Sequence, residues 1–364
     1  MTKDTKSEIV VILGTRPEII KLAPVIRRCE EQNISFSLIH TGQHYSEELD
    51  SIFFDQLSLP EPDYNLEVGS QPHGKQTGEM LAGIEEILQK INPKVVLVQG
   101  DTNSVLAGAL ATSKMDLQLG HVEAGLRSFD RNMPEETNRV LTDHVADYLF
   151  APTEETAKLL YREGIQEERI FITGNTIVDA VYEHSEIAVQ RSKILTELDL
   201  KSTPYALVTA HRAENVDNPE RFKKLLSGIE SVAHQFGLEI VYPIHPRAKN
   251  RCEEYDIEVP TSIQCIEPLD YLDFLRLEQE ADIILTDSGG VQEEACILGV
   301  PCVTVRENTE RPETVDVGAN QLSGVEPESI LTSATEMLKN ETDWNNPFGD
   351  GTAAGRIIDI SMGK

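Results

Sequence analysis

The chain has 364 residues, 32 Lys and Arg against 62 Asp and Glu, a formal net charge of −30 and 40% hydrophobic residues. This length suffices for two domains, and the hydrophobic content excludes a disordered polyanion, so the acidity belongs to the surface of a folded protein. Both halves are acidic and neither carries a basic tail or face, which excludes nucleic-acid and anionic-membrane partners, because both require clustered Lys or Arg.

The first aliphatic run, residues 9–13, follows charged residues and is too short for a signal peptide. No stretch approaches the ~18 apolar residues of a membrane span, so a cytoplasmic protein is expected. The five cysteines (Cys29, Cys252, Cys265, Cys296, Cys302) are odd in number and lack C-x-x-C spacing, which predicts reduced core thiols.

Short β-branched runs recur along the chain at 9–13, 36–40, 95–100, 118–123, 148–152 and 170–174, and again at 206–211, 240–245, 262–266, 283–288 and 302–306. Between them, stretches such as 17–32, 76–91, 134–146, 153–163, 219–235 and 289–298 repeat apolar residues at i, i+3 and i+4. Strands alternating with helices predict an α/β protein with parallel sheets. About six strands fall in the first half and five in the second, which is more economical as two doubly wound, Rossmann-like domains than as one sheet. The boundary is expected after Gly174, giving domains 1–174 and 175–351, with the polar helical stretch 176–200 leading into the second. The sequence NPFGDG (346–351) breaks structure before a last helix, 352–364, which can pack back on the first domain or stay with the second.

Ligands of open α/β sheets bind beyond the carboxyl ends of the strands, so the residues after each run are the candidates. Ser288-Gly289-Gly290 follows a strand and opens a helix, and its backbone N–H groups form an anion site suited to a diphosphate. Glu294, a turn later, repels phosphate but accepts well from vicinal ribose hydroxyls, which together point to a nucleoside diphosphate. The competing reading is a glycine-rich turn that permits close helix packing. Arg16 and Lys21 lie one turn apart at the first strand end, with Pro17 at the first helical position, and are either phosphate-binding cations or a solvated helix face. Arg311, in the turn Glu310-Arg311-Pro312, adds a cation from the second half. Asp101, Glu123 and Glu135 sit at or near strand ends of the first half, and His211 at the first strand end of the second. Carboxylates crowded in one place raise one another's pKa and suit proton transfer near neutral pH; taken singly, each can be a helix cap or an ion-pair partner.

Other patterns do not hold. Gly69, Gly74 and Lys75 imitate a phosphate loop, but Gln76 stands where its Ser or Thr is required. No G-x-G-x-x-G opens the first unit, so no dinucleotide cofactor is expected. His40 and His44 have helical ligand spacing but flank Gly42 after a strand, so no metal is expected either.

With GTRPEIIKLAP (14–24), GQH, QGDT, HVEAGLRS, PEETNR, FITGN, TDSGGVQEE, TERPE and NPFGDG in this order, the chain resembles the non-hydrolysing UDP-N-acetylglucosamine 2-epimerases over essentially its whole length. The resemblance implies two Rossmann-like domains of the GT-B kind with the active site in the interdomain cleft, a homodimer, and interconversion of UDP-GlcNAc with UDP-ManNAc through loss and return of UDP by way of 2-acetamidoglucal. It implies no cofactor. It places Asp101, Glu123 and Glu135 among the carboxylates of proton transfer and intermediate stabilisation, His211 near the diphosphate, and Arg139 as orienting the carboxylates. It also implies that Arg16, Lys21, Ser288, Gly289, Gly290, Glu294 and Arg311 bind nucleotide and substrate, and that the segment from Leu269 to Phe274 holds uracil.

Two departures bear on what is implied. Many bacterial members carry HRRE, and a glutamine two residues after the GQH histidine, at a second, regulatory UDP-GlcNAc site; here those positions are Ala213 and Ser46, while Gln43 and His44 are kept. HPRA (245–248) and LRSFDRNMPEE (126–136) are similar to a branch acting on UDP-2,3-diacetamido-uronic acids, whereas TERPE favours the plain substrate. A glycosyltransferase of the same architecture is the other alternative.

Overall fold

In the computed structural model, which describes residues 7–43 and 53–364, the aliphatic runs become strands, and those in the interior of each sheet are covered on both faces, as parallel sheets require. The chain divides into two units: the described residues up to Ala180 together with Phe348–Lys364, and Val181–Pro347.

Among the described residues the first unit holds a seven-stranded parallel sheet in the order β3-β2-β1-β4-β5-β6-β7. Its strands are β1 (Ile9–Leu13), β2 (Phe36–His40), β3 (Tyr64–Asn65), β4 (Val95–Gln99), β5 (Gln118–Val122), β6 (Tyr148–Ala151) and β7 (Ile170–Ile172). Strand β1 is interior, with Val10 opposite Ser37 on one side and Val96 on the other. The chain winds outward from β1 to β3 and then returns to β4, so the carboxyl ends of β1 and β4 form the switch point where such sheets open a crevice. Met80, Ile84 and Leu88 of the helix His73–Ile91 cover the face carrying Val10, Ile12, Val96 and Val98.

The second unit repeats the scheme with six described parallel strands, in the order β10-β9-β8-β11-β12-β13. They are β8 (Tyr205–Thr209), β9 (Glu239–Pro243), β10 (Ile263–Ile266), β11 (Ile283–Thr286), β12 (Cys302–Thr304) and β13 (Asn320–Leu322), and the switch point lies at β8 and β11. Phe222, Leu225, Leu226 and Ile229 of the helix Pro219–Phe236 pack over Ala206, Val208, Tyr242 and Leu285. The expected six and five strands thus become seven and six. The two additions, β3 and β13, are short edge strands with no aliphatic run to announce them.

The domain limits also differ from 174 and 351. Asn175 N–H donates to the Phe348 carbonyl (2.9 Å), so the returning segment begins at Phe348. The first turn of the helix Thr176–Arg191 then stays in the first unit, because the Asp179 carboxylate accepts from the N–H groups of Ala353 (3.2 Å) and Ala354 (2.9 Å) and so caps the last helix, Ala353–Met362. Gln32 donates to Asp359 (3.2 Å) and Lys94 to the Met362 carbonyl (3.1 Å), which fixes this helix beside the helix Arg16–Glu31. Of the cysteines, Cys29, Cys296 and Cys302 are buried free thiols, whereas Cys265 is exposed on the edge strand β10. No described helix is long and apolar enough to cross a membrane.

Asp179→Ala is expected to leave two buried N–H groups unpaired and to cost about 2 kcal/mol in reversible chemical denaturation. An unchanged midpoint would show that the capping contact contributes nothing.

Candidate active site

In the first unit the carboxylates gather at the switch point. Glu123 follows β5 and adopts φ 71°, the left-handed region that costs a residue with a Cβ free energy unless its surroundings hold it. The surroundings are specific: Lys21 Nζ lies 2.7 and 2.9 Å from its two oxygens, Asn175 Nδ2 donates at 3.2 Å, and Gln99 Nε2 also donates. Two residues on, Gly125 has φ 85°, and a Cβ there would meet the Thr156 carbonyl oxygen at 2.5 Å, so only glycine lets this turn press against the helix Glu154–Arg162.

Asp101 follows β4, and its carboxylate takes Arg139 Nη2 of the helix Pro134–Val145. Burial pushes its carboxyl above the ordinary aspartate value and the neighbouring Glu123 charge adds to this, while Arg139 works in the opposite direction. Glu135 is half-buried one turn before Arg139 on the same helix. Its neighbour Glu136 is buried and accepts from Ser128 N–H (2.8 Å), Ser128 Oγ (2.9 Å) and Phe129 N–H (3.0 Å), which folds the loop before the helix.

The turn after β1 is built around Glu18. Its carboxylate accepts from the N–H groups of Gly14 (2.5 Å) and Thr15 (2.8 Å) and from the Thr102 hydroxyl, tying the Arg16 turn to the residue after Asp101. Burial pushes Glu18 up to about 7 in spite of these donors. Arg16 is exposed above the Phe53 ring, 5.9 Å from its centroid. Gln43 is buried, with its Oε1 accepting from Ser104 N–H (3.0 Å) and Oγ (2.8 Å); His44 lies outside the described residues.

In the second unit the organising group is Asp287, at the end of β11. Its carboxylate accepts from His211 N–H (2.9 Å), Arg212 N–H (2.9 Å) and Asn215 Nδ2 (3.1 Å), and His211 Nδ1 lies 3.3 Å away. Burial alone would raise its pKa, but these donors outweigh it and keep the carboxyl below the ordinary aspartate range. The His211 backbone and ring are thereby held on Asp287, and the next residue, Ser288, stands at the N-cap position of the helix Gly289–Leu298 without a side-chain capping bond. A Cβ on Gly290 would meet nothing within 4 Å, one on Gly289 only Glu310 Oε2 at 3.8 Å, and neither glycine is in a left-handed conformation. Close helix packing therefore does not explain them. What a bare backbone provides here is unobstructed access to the helix N-terminus.

Leu269 and Phe274 are half-buried against the core around Leu277 and Ile284. Glu294 is half-buried on the helix Gly289–Leu298, and burial first, then the Glu294 charge, raises the Tyr271 hydroxyl and the buried Glu278 carboxyl of the neighbouring helix Tyr271–Glu280 well above their ordinary values.

Two of the expected phosphate cations have carboxylate partners: the Lys21 ammonium is seated on Glu123, and Arg311 Nε lies 2.6 Å from the buried carboxylate of Glu293. Glu18, Glu136, Asp287 and Glu293 lie inside the quoted motifs but are not singled out by them; Glu18 carries a local signal of its own, the Thr15-x-x-Glu18 capping box.

Comparison with known proteins identifies the family. The family model described as UDP-N-acetylglucosamine 2-epimerase matches residues 27–362. A Methanococcus maripaludis protein named UDP-N-acetylglucosamine 2-epimerase is 54% identical over 363 residues, covering 98% of this chain and 99% of its own. The solved structure of UDP-GlcNAc 2-epimerase from Methanocaldococcus jannaschii superposes with a TM-score of 0.91 at 52% identity, covering 98% of this chain and 99% of that one. A second structure of the M. jannaschii enzyme, in complex with UDP-GlcNAc and UDP, gives 0.83 at 54% identity with the same coverage. With Asp101, Glu123 and the Ser288 turn in place at their strand ends, the chain belongs to the UDP-N-acetylglucosamine 2-epimerase family.

Proposed function

We propose that this chain inverts C2 of UDP-N-acetylglucosamine to give UDP-N-acetylmannosamine, by eliminating UDP and adding it back. The C2 hydrogen has no carbonyl beside it, so its removal must be coupled to departure of the group at C1. A carboxylate takes the C2 proton while the C1–O bond breaks, and that bond's electron pair leaves with the β-phosphate. The C2–H pair becomes the C1=C2 double bond of 2-acetamidoglucal. A carboxylic acid then returns a proton to the other face of C2 as a UDP oxygen closes on C1. The balance needs no redox partner.

The observation that carries this reading is the Asp101 and Glu123 pair. One carboxyl keeps its proton to higher pH than an ordinary aspartate, the other is set against Lys21, and inversion needs one group to give and one to take. In this reading Arg139 orients Asp101, and Glu135 faces the positive charge that builds at C1. UDP must be held while detached: Ser288, Gly289 and Gly290 supply N–H groups to the diphosphate, with His211 and Arg311 beside it. Glu294 accepts from the ribose hydroxyls and the segment from Leu269 to Phe274 flanks uracil. The assembled form in this reading is a homodimer.

Incubation with UDP-GlcNAc in D₂O is expected to place deuterium at C2 of UDP-ManNAc; a folded protein that incorporates none refutes the reading. Glu123→Gln should slow this exchange by about 10²–10⁴-fold while calorimetry still detects UDP binding. Gly290→Ala is expected not to destabilise the fold, since nothing beyond its own helix lies within 4 Å of the added Cβ, yet to weaken UDP binding at least about tenfold. Unaltered UDP affinity in that variant would move the diphosphate away from this turn.

A further inference from the structure

His121, in β5 and two residues before Glu123, is completely buried and takes no part in the chemistry described so far. Its Nδ1 lies 2.6 Å from Asp143 Oδ1 and its Nε2 lies 2.8 Å from the Gly100 carbonyl oxygen. A neutral imidazole has one N–H and one bare lone pair, so one of these contacts would set a lone pair against an oxygen lone pair. Both partners only accept. Asp143 is an ionised carboxylate, because its other oxygen takes Arg127 Nη1 (2.7 Å) and Gly125 N–H (3.2 Å). Burial would raise the Asp143 pKa, but His121 and then Arg127 outweigh it and hold the carboxyl below the ordinary range. The cluster balances its charge: Arg127 also meets Glu163 through Nε (2.7 Å) and Nη2 (2.6 Å).

The segments joined here are those that carry the proposed proton-transfer groups. Gly100, at φ 83°, directs its carbonyl to His121 and precedes Asp101. Asp143 lies on the helix Pro134–Val145, whose middle reaches the same turn through Asn138 Nδ2 on the Asp101 carbonyl (2.9 Å) and Arg139 on the Asp101 carboxylate. The helix is thus pinned to the Asp101 turn at two points a few residues apart, and His121 is the more deeply buried of the two. Gly125, beyond Glu123, is held by the same Asp143.

We propose that His121 is a positioning residue, a buried imidazolium whose two N–H groups lock the Gly100-Asp101 turn to Asp143 and so fix the Asp101 and Glu123 carboxyls relative to each other. Loss of either N–H bond lets the turn rotate about Gly100, a residue with little conformational preference of its own. Displacement of a proton-transferring group reduces turnover far more than it reduces binding.

The role in turnover rests on the proposed epimerase reading, but the state of the ring does not, so the two are tested separately. Ring ¹⁵N spectra of histidine-labelled protein without substrate at neutral pH, with His121 assigned by its absence in His121→Gln, should show both nitrogens protonated. Asp143→Asn removes the counter-charge and should leave one nitrogen bare. A bare nitrogen on His121 in the unaltered protein overturns the inference, whether or not any variant is active. In the deuterium-exchange assay, His121→Gln should lower kcat by up to about 10²-fold with KM for the UDP-sugar held within about threefold. A folded His121→Gln protein with unaltered kcat, or one in which only KM rises, also overturns it. If the unaltered protein turns over no UDP-GlcNAc, the epimerase reading fails while the ring spectrum still decides the protonation.

Discussion

The first unit depends on the Glu123 carboxylate being where it is. A left-handed backbone puts it at the carboxyl end of the sheet, and donors from three places in the chain hold it there: Lys21 after β1, Gln99 at the end of β4, and Asn175 after β7. Without those donors the conformation would relax and the carboxylate would turn to water. With them, strand ends that the topology merely brings near each other are joined by side-chain bonds, and the neighbouring Asp101 feels a fixed negative charge. The strain at one residue is thus sustained by the same contacts that arrange the site, a common economy where the backbone is held in a sparsely populated region.

A surplus of carboxylates imposes a second constraint. With 62 acidic residues against 32 basic ones, a cation brought near a strand end is readily taken by an internal acid, as Lys21 is by Glu123, Arg311 by Glu293 and Arg306 by Glu214 and Glu310. Arg306 holds the Glu310 carboxyl down to about 2, close to Gly289. Under such competition the N-terminus of the helix Gly289–Leu298 has an advantage over any side chain, because backbone N–H groups attract an anion without a formal charge that a nearby carboxylate can neutralise.

The regular parts of the fold were legible in the sequence because aliphatic strands and amphipathic helices repeat with different periods. The less regular parts were not, and each for its own reason. Strands β3 and β13 consist of Tyr64–Asn65 and Asn320–Leu322, which carry no aliphatic run and are recruited by pairing at a sheet edge. The helix Asn103–Ser113 is buried on several sides, so its small apolar residues show no single face. The strand ends pointed to Asp101, Glu123 and the Ser288 turn, but not to which side chain meets which: Lys21 and Glu123 lie 102 positions apart. Nor does spacing separate Glu135 from Glu136, neighbours on one helix turn, of which the second folds a loop.

The return of the chain to the first unit constrains the order in which that unit is completed during synthesis. Residues up to Ala180 leave the ribosome well before Phe348, and until the whole of Val181–Pro347 has followed, the Asp179 carboxylate has no helix to cap and the groove beside the helix Arg16–Glu31 stands open. The second unit, contiguous in sequence, suffers no such delay. The unit that starts first therefore closes last, and a nascent chain stalled anywhere in the second unit exposes Ile357 and Ile358's binding surface to the folding machinery of the cell.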